Sequence, residues 1–249
     1  MVNKIIFAFV LILTSATMAF SQKKISQDIY VGARIGGFGS DWENTGSLPI
    51  LKSRSTVMWT FNLYARQEVM EGLYLGMDFS FNQSTAQLAV FKPGWSIPKS
   101  NGPPLGLWSI GPTIRKDFTL PNGKMGLHTS VSVPLNYTRF NNYEYIGDYF
   151  GGVINAAGEQ VIDVYPYGDS KVNRRFSVFI RPEVGLFYKL NDRGRISVDA
   201  MWGINTGGPL LIRDFHEVIY EGETFENNVH KYNGSYFALT MGYEYRIFK

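Results

Sequence analysis

The sequence predicts an all-β chain that forms a closed, antiparallel, eight-stranded transmembrane up-and-down β-barrel. Composition is the first observation, because the 249 residues are 15% aromatic and include 26 glycines but are only 18% charged. That mixture is unusual for a soluble domain and common in membrane β-barrels. The second is that eight stretches alternate apolar and polar residues with period two, the pattern of strands with two different faces. The third is that their connections alternate between short and long.

The first 21 residues have the pattern of a cleaved secretory signal peptide. Lys4 precedes an apolar run over 5–13, and the small residues Ala19 and Ser21 lie at the −3 and −1 positions of a cut before Gln22. The run is far shorter than the ~20 residues that a membrane-spanning helix needs. This predicts a signal peptide over 1–21 and a barrel domain over 22–249. The chain has no cysteine, which excludes disulfides, thiolate metal sites and a cysteine lipid anchor.

The eight predicted strands cover 29–36, 57–66, 73–82, 108–118, 125–137, 176–188, 196–204 and 237–247. Short polar turns at 68–72, 119–124 and 191–194 join three pairs of them. The other connections are loops of about 18 to 36 residues, which suit a barrel with short periplasmic turns and long extracellular loops. Pro112 and Pro182 lie inside predicted strands, where the missing N–H predicts a local bulge.

The apolar face of these strands is predicted to meet lipid. It carries mostly large side chains, which would overfill the narrow interior of an eight-stranded barrel. The opposite face combines glycines with polar residues, which suits a cramped polar lumen. Closure is then required, because lipid cannot satisfy an open strand edge. Aromatic residues near both ends of the lipid face predict interfacial belts, formed by Phe118, Tyr188 and Tyr245 at the turn end and by Phe81, Trp108, Tyr137, Phe176, Trp202 and Phe237 at the loop end.

The signal segment, the eight strands, the alternating loop lengths and the stretch GYEYRIF at 242–248 together resemble the small OmpA/OmpX-like outer-membrane barrels. The stretches SIGPTIRKDF (109–118) and FIRPEVGLFYKL (179–190) look like strands of barrels from the Bacteroidota. The resemblance implies a Gram-negative outer membrane, contact with outer-membrane lipid and lipopolysaccharide, and insertion by the barrel assembly machinery. The formal charge of +3, with no basic block, gives no indication of nucleic-acid binding.

The end of the chain departs from that pattern. Such barrels often end in an aromatic residue that the assembly machinery recognises, whereas here Phe248 is followed by Lys249 and falls on the lumen face. The lipid-facing part of the signal must then come from Tyr243, Tyr245 and Ile247.

Charged residues on the lumen face predict an ion-pair cluster, because unpaired charges in a narrow interior are costly. The favoured interpretation is a structural plug, and the alternative is a narrow, gated ion or proton path. The cluster is predicted to contain Arg34, Asp78, Arg115, Arg181, Glu183, Asp199 and Glu244, with Arg66, Asp117, Lys189 and Arg246 nearer the turns.

Two residue patterns suggest catalysis or metal binding. His128 and Ser130 form an H-x-S like that of the outer-membrane lipid A deacylases, in which a histidine base could activate a serine. Both face the lumen, away from a lipid substrate, so we expect no catalytic residues. His216 and His230, with nearby acids, could bind a divalent cation, but an acidic solvated loop is favoured, and we expect neither metal nor cofactor.

The long loops contain aromatic residues of the kind found at recognition surfaces, namely Trp95, Tyr143, Tyr145, Tyr149, Tyr165 and Tyr167. They could instead pack the loops on one another. Segments 158–168 and 216–226 alternate as strands do, which predicts hairpins above the membrane. The expected role is structural or surface-interactive, with loops presented to envelope partners. The alternatives are an accessory subunit of a secretion or uptake complex, a narrow solute or ion pore, and last a lipid A-modifying hydrolase.

Overall fold

A computed structural model describes residues 28–91, 102–121, 123–147, 150–153 and 161–247. The predicted signal peptide, Trp95, Tyr149 and Phe248 lie outside these ranges. The described residues form fifteen β-strands in two sheets, so the all-β prediction is confirmed. Within the same ranges, no helix is long and apolar enough to cross a membrane.

The larger sheet, called the main sheet, contains all eight predicted strands. Its members are β1 (Ile29–Gly39), β3 (Leu51–Met70), β4 (Leu73–Val90), β5 (Pro104–Thr119), β6 (Met125–Ser132), β7 (Leu135–Arg139), β11 (Phe176–Lys189), β12 (Gly194–Asn205) and β15 (Tyr236–Arg246). The smaller one, called the loop sheet, is built from the long connections. Its members are β2 (Trp42–Thr45), β8 (Tyr143–Ile146), β9 (Phe150–Val153), β10 (Val161–Val172), β13 (Leu211–Tyr220) and β14 (Glu223–Tyr232).

Main-sheet strands pair antiparallel in the order β12-β15-β1-β3-β4-β5-β6-β11, and β7 continues the line of β6 between β5 and β11. Strands β11 and β12, at the two ends of this order, also pair with each other, for example at Val184 and Ala200. In β1, Ile35 lies opposite Phe61 on one side and Met241 on the other. Strands β1, β11 and β12 therefore each pair with a neighbour on both sides.

The bulges predicted at Pro112 and Pro182 are wrong. The register of β5 with β6 and β7 is the same on either side of Pro112, and that of β11 is the same on either side of Pro182. A main-sheet register shift lies instead in β3, between Thr56 and Trp59. Each proline therefore removes a donor without adding a residue, and the neighbouring strands keep their alignment.

The fifth predicted strand is divided in two by a third proline. Pro134 separates β6 from β7, because a proline interrupts the ladder. Its carbonyl still accepts a hydrogen bond from the backbone N–H of Phe179 at 3.0 Å. A Cβ on Gly111 would lie 2.4 Å from the Cα of Pro134, so the close approach of the two strands requires glycine there.

The apolar side chains of the main sheet point outward and the polar ones inward. In β1, Ile35 is 63% exposed and its neighbour Arg34 is 2% exposed. Other exposed apolar side chains of this face are Leu63, Met77, Ile110, Ile114, Val131, Ile180, Val198, Leu239 and Met241. Large inward rings lie over glycines of adjacent strands, in the pairs Tyr64 with Gly32, Phe187 with Gly126 and Tyr236 with Gly203. The prediction of an outer apolar face and an inner polar face is confirmed.

Aromatic side chains of the outer face group at both ends of the main sheet. At the loop end, the ring centroids of Trp59 and Phe81 are 5.3 Å apart, and those of Phe81 and Trp108 are 4.2 Å apart. Trp202 and Phe237 make a similar contact at 5.1 Å. At the turn end, the exposed rings include Phe118, Tyr188, Tyr243 and Tyr245.

The loop sheet runs in the order β2-β14-β13-β10-β8, with β9 also paired to β10. Segment 216–226 contains the end of β13, the turn and the start of β14, so the predicted hairpin is present but its turn lies inside the stretch that was expected to be a strand. Its two turn residues, Glu221 and Gly222, have φ of 52° and 81°, the values of a tight hairpin turn. The described part of segment 158–168 lies in β10. The buried core of this sheet includes Leu51, Leu88, Tyr145, Val164, Phe215 and Val218, so the ends of β3 and β4 pack against it.

Candidate functional site: the charged interior of the main sheet

Six buried side chains from five strands form a group that we call the upper cluster. Its members are Arg34, Asp78, His128, Arg181, Glu183 and Asp199. Arg34 joins the acids, with Nη1 2.5 Å from Glu183 Oε2 and its other contacts at 3.8 Å to Asp78 and 3.7 Å to Asp199. Arg181 donates to Asp78 Oδ2 at 2.8 Å. Five of the seven predicted cluster residues therefore meet here.

His128 lies at the centre of the acids rather than beside a hydroxyl. Its Nε2 is 3.2 Å from Glu183 Oε1 and 2.9 Å from Asp199 Oδ1. Its Nδ1 has no hydrogen-bond partner among the described residues. Ser130 is buried on the same face of β6, but neither ring nitrogen hydrogen-bonds to it. The serine–histidine pair that attack on an ester would need is therefore not formed.

A second group, the lower cluster, lies nearer the short turns. It consists of Arg66, Arg115, Asp117, Arg195 and Glu244. Arg115 Nε donates to Asp117 at 2.5 Å, and Arg195 contacts both acids. Arg66 is 3.5 Å from Glu244, and its guanidinium lies 3.9 Å above the ring of Tyr64. The two remaining predicted residues, Arg115 and Glu244, belong to this group.

With His128 neutral, the formal charges of the two clusters cancel. With His128 neutral, the upper cluster has three acids and two arginines, or −1, and the lower cluster has three arginines and two acids, or +1. Burial of an isolated charge costs several kcal/mol, and only close opposite charges and hydrogen bonds offset this cost. The pairing therefore makes a charged interior compatible with the fold.

The two ends of this interior differ. At the turn end a cavity of about 910 Å³ is lined by Tyr30, Tyr74, Asp117 and Arg195 together with the short turns. At the loop end a buried apolar layer fills the interior beneath the loop sheet. The layer includes Phe38, Leu105, Leu107, Phe179, Met201, Leu210, Tyr232 and Tyr236. Among the described residues, the polar interior thus meets a cavity toward the turns and a buried apolar layer toward the loops.

Arg213 of the loop sheet is a fully buried cation held by neutral groups. Its Nη1 donates to Ser53 Oγ at 2.8 Å and to the Gln87 carbonyl at 3.0 Å, and Nη2 donates to the Ala86 carbonyl. Its guanidinium lies 4.8 Å above the ring of Trp42. Burial lowers the pKa of Arg213. These contacts join the loop sheet to the ends of β3 and β4.

His230 lies beside Arg213 on the neighbouring strand. Its Nδ1 hydrogen-bonds to Ser53 Oγ at 2.8 Å. Burial, and then the charge of Arg213, lower the pKa of His230 to about 3. His216, by contrast, is exposed on the opposite face of the sheet. The hypothesis that these two histidines bind one cation is therefore wrong, because the strand alternation separates them.

The aromatic residues predicted for recognition also divide into exposed and buried ones. Tyr143 is 43% exposed on β8, and Tyr165 and Tyr167 are partly exposed on β10. Tyr145 was predicted to be a recognition residue, and this is wrong. It is buried, with its ring centroid 5.1 Å from that of Phe215, because it points into the core of the loop sheet.

Two buried arginines, one in each sheet, were missed from the sequence. Arg195 precedes the outward Ile196, so extending the alternation by one residue would have placed it inside. Arg213 gave no such signal, since its partners Ser53, Gln87 and Ala86 are more than a hundred residues away in sequence.

No protein-family model matches the chain, and no curated protein matches it. Among solved structures, the outer membrane protein OprG from Pseudomonas aeruginosa has a TM-score of 0.47 at 8% identity, covering 90% of this chain and 98% of that one. Neisserial surface protein A has a TM-score of 0.40 at 14% identity, covering 88% and 97%. The Ralstonia pickettii toluene transporter TbuX has a TM-score of 0.28 at 10% identity, covering 88% and 89%. Because all three TM-scores are below 0.5, these similarities do not indicate what this chain does.

Proposed function

We propose that this chain is an integral outer-membrane protein, a closed eight-stranded β-barrel with its short turns in the periplasm and its loop sheet outside the cell. The observation that carries the proposal is the inverted main sheet, with apolar side chains outside and paired charges inside. Soluble monomers rarely expose apolar patches larger than a few hundred Å². A bilayer would remove this surface from water, and the pairing of β11 with β12 would leave no strand edge in lipid.

The route to that membrane is part of the proposal. Segment 1–21 would direct export and be removed, and the barrel assembly machinery would insert the strands beside lipopolysaccharide and outer-membrane lipid. We also propose that the chain is an OmpA/OmpX-like barrel of the Bacteroidota type, because the stretches 109–118, 179–190 and 242–248 resemble strands of such barrels. Tyr243 and Tyr245 are exposed near the end of β15, which supports a lipid-facing assembly signal.

The barrel's role in this proposal is structural and surface-interactive rather than catalytic or conductive. The apolar layer across the loop end and the paired clusters below it support a closed interior. His128 faces two carboxylates, which supports a chain without lipid A hydrolase activity. The loop sheet would then present exposed side chains such as Tyr143 and Ile146 to envelope partners, including those of a secretion or uptake complex. A narrow solute or ion pore is the competing function.

Planar-bilayer conductance separates the plug from the pore. Protein refolded into lipid, with the heat-dependent gel mobility of a folded barrel, is expected to give no steady current steps. A reproducible single-channel conductance would overturn the plug and support the pore.

Photo-crosslinking in the native envelope tests the interactive role. A photoreactive residue at Tyr143 on the loop sheet is expected to give protein adducts. The control at Tyr188, which is similarly exposed but on the main sheet, is expected to give lipid adducts. Protein adducts at neither position would contradict the interactive role, and water-quenched label at Tyr188 would contradict the membrane location.

A further inference from the structure

Three buried donor atoms from three adjacent strands converge in the upper cluster. They are His128 Nε2, Glu183 Oε1 and Asp199 Oδ1, and all lie within 4.8 Å of one another. We propose that these three atoms hold a divalent transition-metal ion of the Zn²⁺ type. One imidazole nitrogen with two carboxylate oxygens is a donor set that zinc accepts.

The spacing of the donors fits a shared cation. Zinc binds nitrogen and oxygen at about 2.0–2.2 Å, which in a tetrahedral site sets neighbouring ligand atoms about 3.4 Å apart. The distances from Nε2 to the two carboxylate oxygens are 3.2 and 2.9 Å. The three side chains thus need only small shifts to act as ligands on one side of an ion.

The imidazole alone does not satisfy both acids. A ring nitrogen can donate one hydrogen bond, and the hydrogen bond at Nε2 goes to Glu183 Oε1. Asp199 Oδ1 is buried without a hydrogen-bond partner, although it lies 2.9 Å from the same nitrogen. A buried carboxylate oxygen without a donor is costly, and a cation between the three atoms would remove this cost.

The other oxygen of each carboxylate is held from outside. Arg34 Nη1 lies 2.5 Å from Glu183 Oε2, and Ser197 Oγ donates to Asp199 Oδ2 at 2.8 Å. Ligating carboxylates in metal sites are commonly fixed in this way through the oxygen that does not bind the metal. Both acids therefore present their remaining oxygen to His128.

Gly185 keeps the space between the ligands open. It pairs with His128 of β6 on one side and with Asp199 of β12 on the other. A Cβ on this residue would lie 2.3 Å from Asp199 Oδ1 and 2.4 Å from His128 Cε1. Any side chain at this position would fill the point where the three donors meet.

The charge of the upper cluster has the sign that a cation needs. Asp78, Glu183 and Asp199 against Arg34 and Arg181 leave −1 when His128 is neutral. The competing occupant is a proton on His128, which would make the cluster neutral. The two occupants are distinguished by measuring zinc directly.

The test uses the refolded chain in detergent, stripped of metal, loaded with zinc chloride and separated from free zinc by gel filtration. Elemental mass spectrometry is expected to give one zinc per chain for the wild type and background for His128→Asn and Glu183→Gln. His216→Asn, which removes an exposed histidine of the loop sheet, is the matched control and is expected to keep the zinc. X-ray absorption of the loaded wild type is expected to show nitrogen and oxygen ligands only.

Heat-dependent gel mobility must show that each variant is folded. Glu183→Gln is chosen because glutamine has nearly the same shape as glutamate. A folded wild type without zinc overturns the proposal. Equal zinc in the wild type and in both ligand variants, or loss of zinc in His216→Asn, places the metal elsewhere and also overturns it.

Discussion

The main sheet and the loop sheet use the same period-two alternation with opposite polarity. In the main sheet the buried residue is Arg34 and the exposed one is Ile35. In the loop sheet the buried residue is Phe215, and its neighbours Asp214 and His216 are exposed. Alternation therefore defines two faces, but the surroundings of each sheet decide which face is buried.

The change of polarity occurs within single strands. The inward side chains of β4 are polar near the turn, with Asp78, Ser80, Asn82 and Ser84, and become apolar at Ala86 and Leu88. In β3 the register shift after Thr56 exchanges the two faces at about the same height. The apolar layer, with Arg213 above it, thus separates the polar interior of the main sheet from the apolar core of the loop sheet.

Removal of Arg34 should have the largest effect on the main sheet. Arg34→Met leaves Glu183, Asp78 and Asp199 with less compensation, and breaking a buried ion network costs about 3–5 kcal/mol. Urea unfolding in lipid vesicles measures this loss. The matched variant Lys171→Met breaks an exposed ion pair with Asp169 in the loop sheet and is expected to leave the unfolding midpoint unchanged. Equal effects of the two variants would contradict the difference between the sheets.

Arginine on the two exposed surfaces should give the next largest difference. Met241 on the main sheet is 67% exposed, and Ile146 on the loop sheet is 70% exposed. Met241→Arg is expected to destabilise the vesicle-inserted protein by about 2–4 kcal/mol, because it places a charge in lipid. Ile146→Arg meets water and should be tolerated. If both variants unfold at the wild-type urea concentration, Met241 does not face lipid.

Acidification should loosen the loop sheet by a smaller amount. The pKa of His230 falls from 6.5 to about 3 on folding, so the folded state disfavours the protonated form. Stability is therefore complete above about pH 6.5 and declines as the pH falls, by about 1.4 kcal/mol at about pH 5.5. Amide hydrogen exchange of β13 and β14 measures this decline. His230→Gln should remove the pH dependence, whereas His216→Gln should retain it, and the reverse result would contradict the assigned burial.

Local pattern was enough to predict the main sheet, because each strand shows its faces within its own sequence. The same rule predicted the burial of Arg34, Asp78 and Glu183. It could not predict that Tyr145 is buried or that Arg213 is satisfied without an acid. Those outcomes depend on contacts between distant parts of the chain, such as Tyr145 with Phe215 and Arg213 with Ser53. Pro134 shows another limit of the pattern. The alternation over 125–137 continues through it, but its missing N–H interrupts the strand ladder.

Spin-label accessibility along β15 tests the inverted main sheet most directly. The chain has no cysteine, so single labels can be placed at successive positions from 237 to 244 without background. In lipid vesicles, the outward positions Phe237, Leu239, Met241 and Tyr243 are predicted to show high oxygen and low polar-reagent accessibility. The inward positions Ala238, Thr240 and Glu244 are predicted to be low for both. High accessibility to the polar reagent at the outward positions would contradict the account.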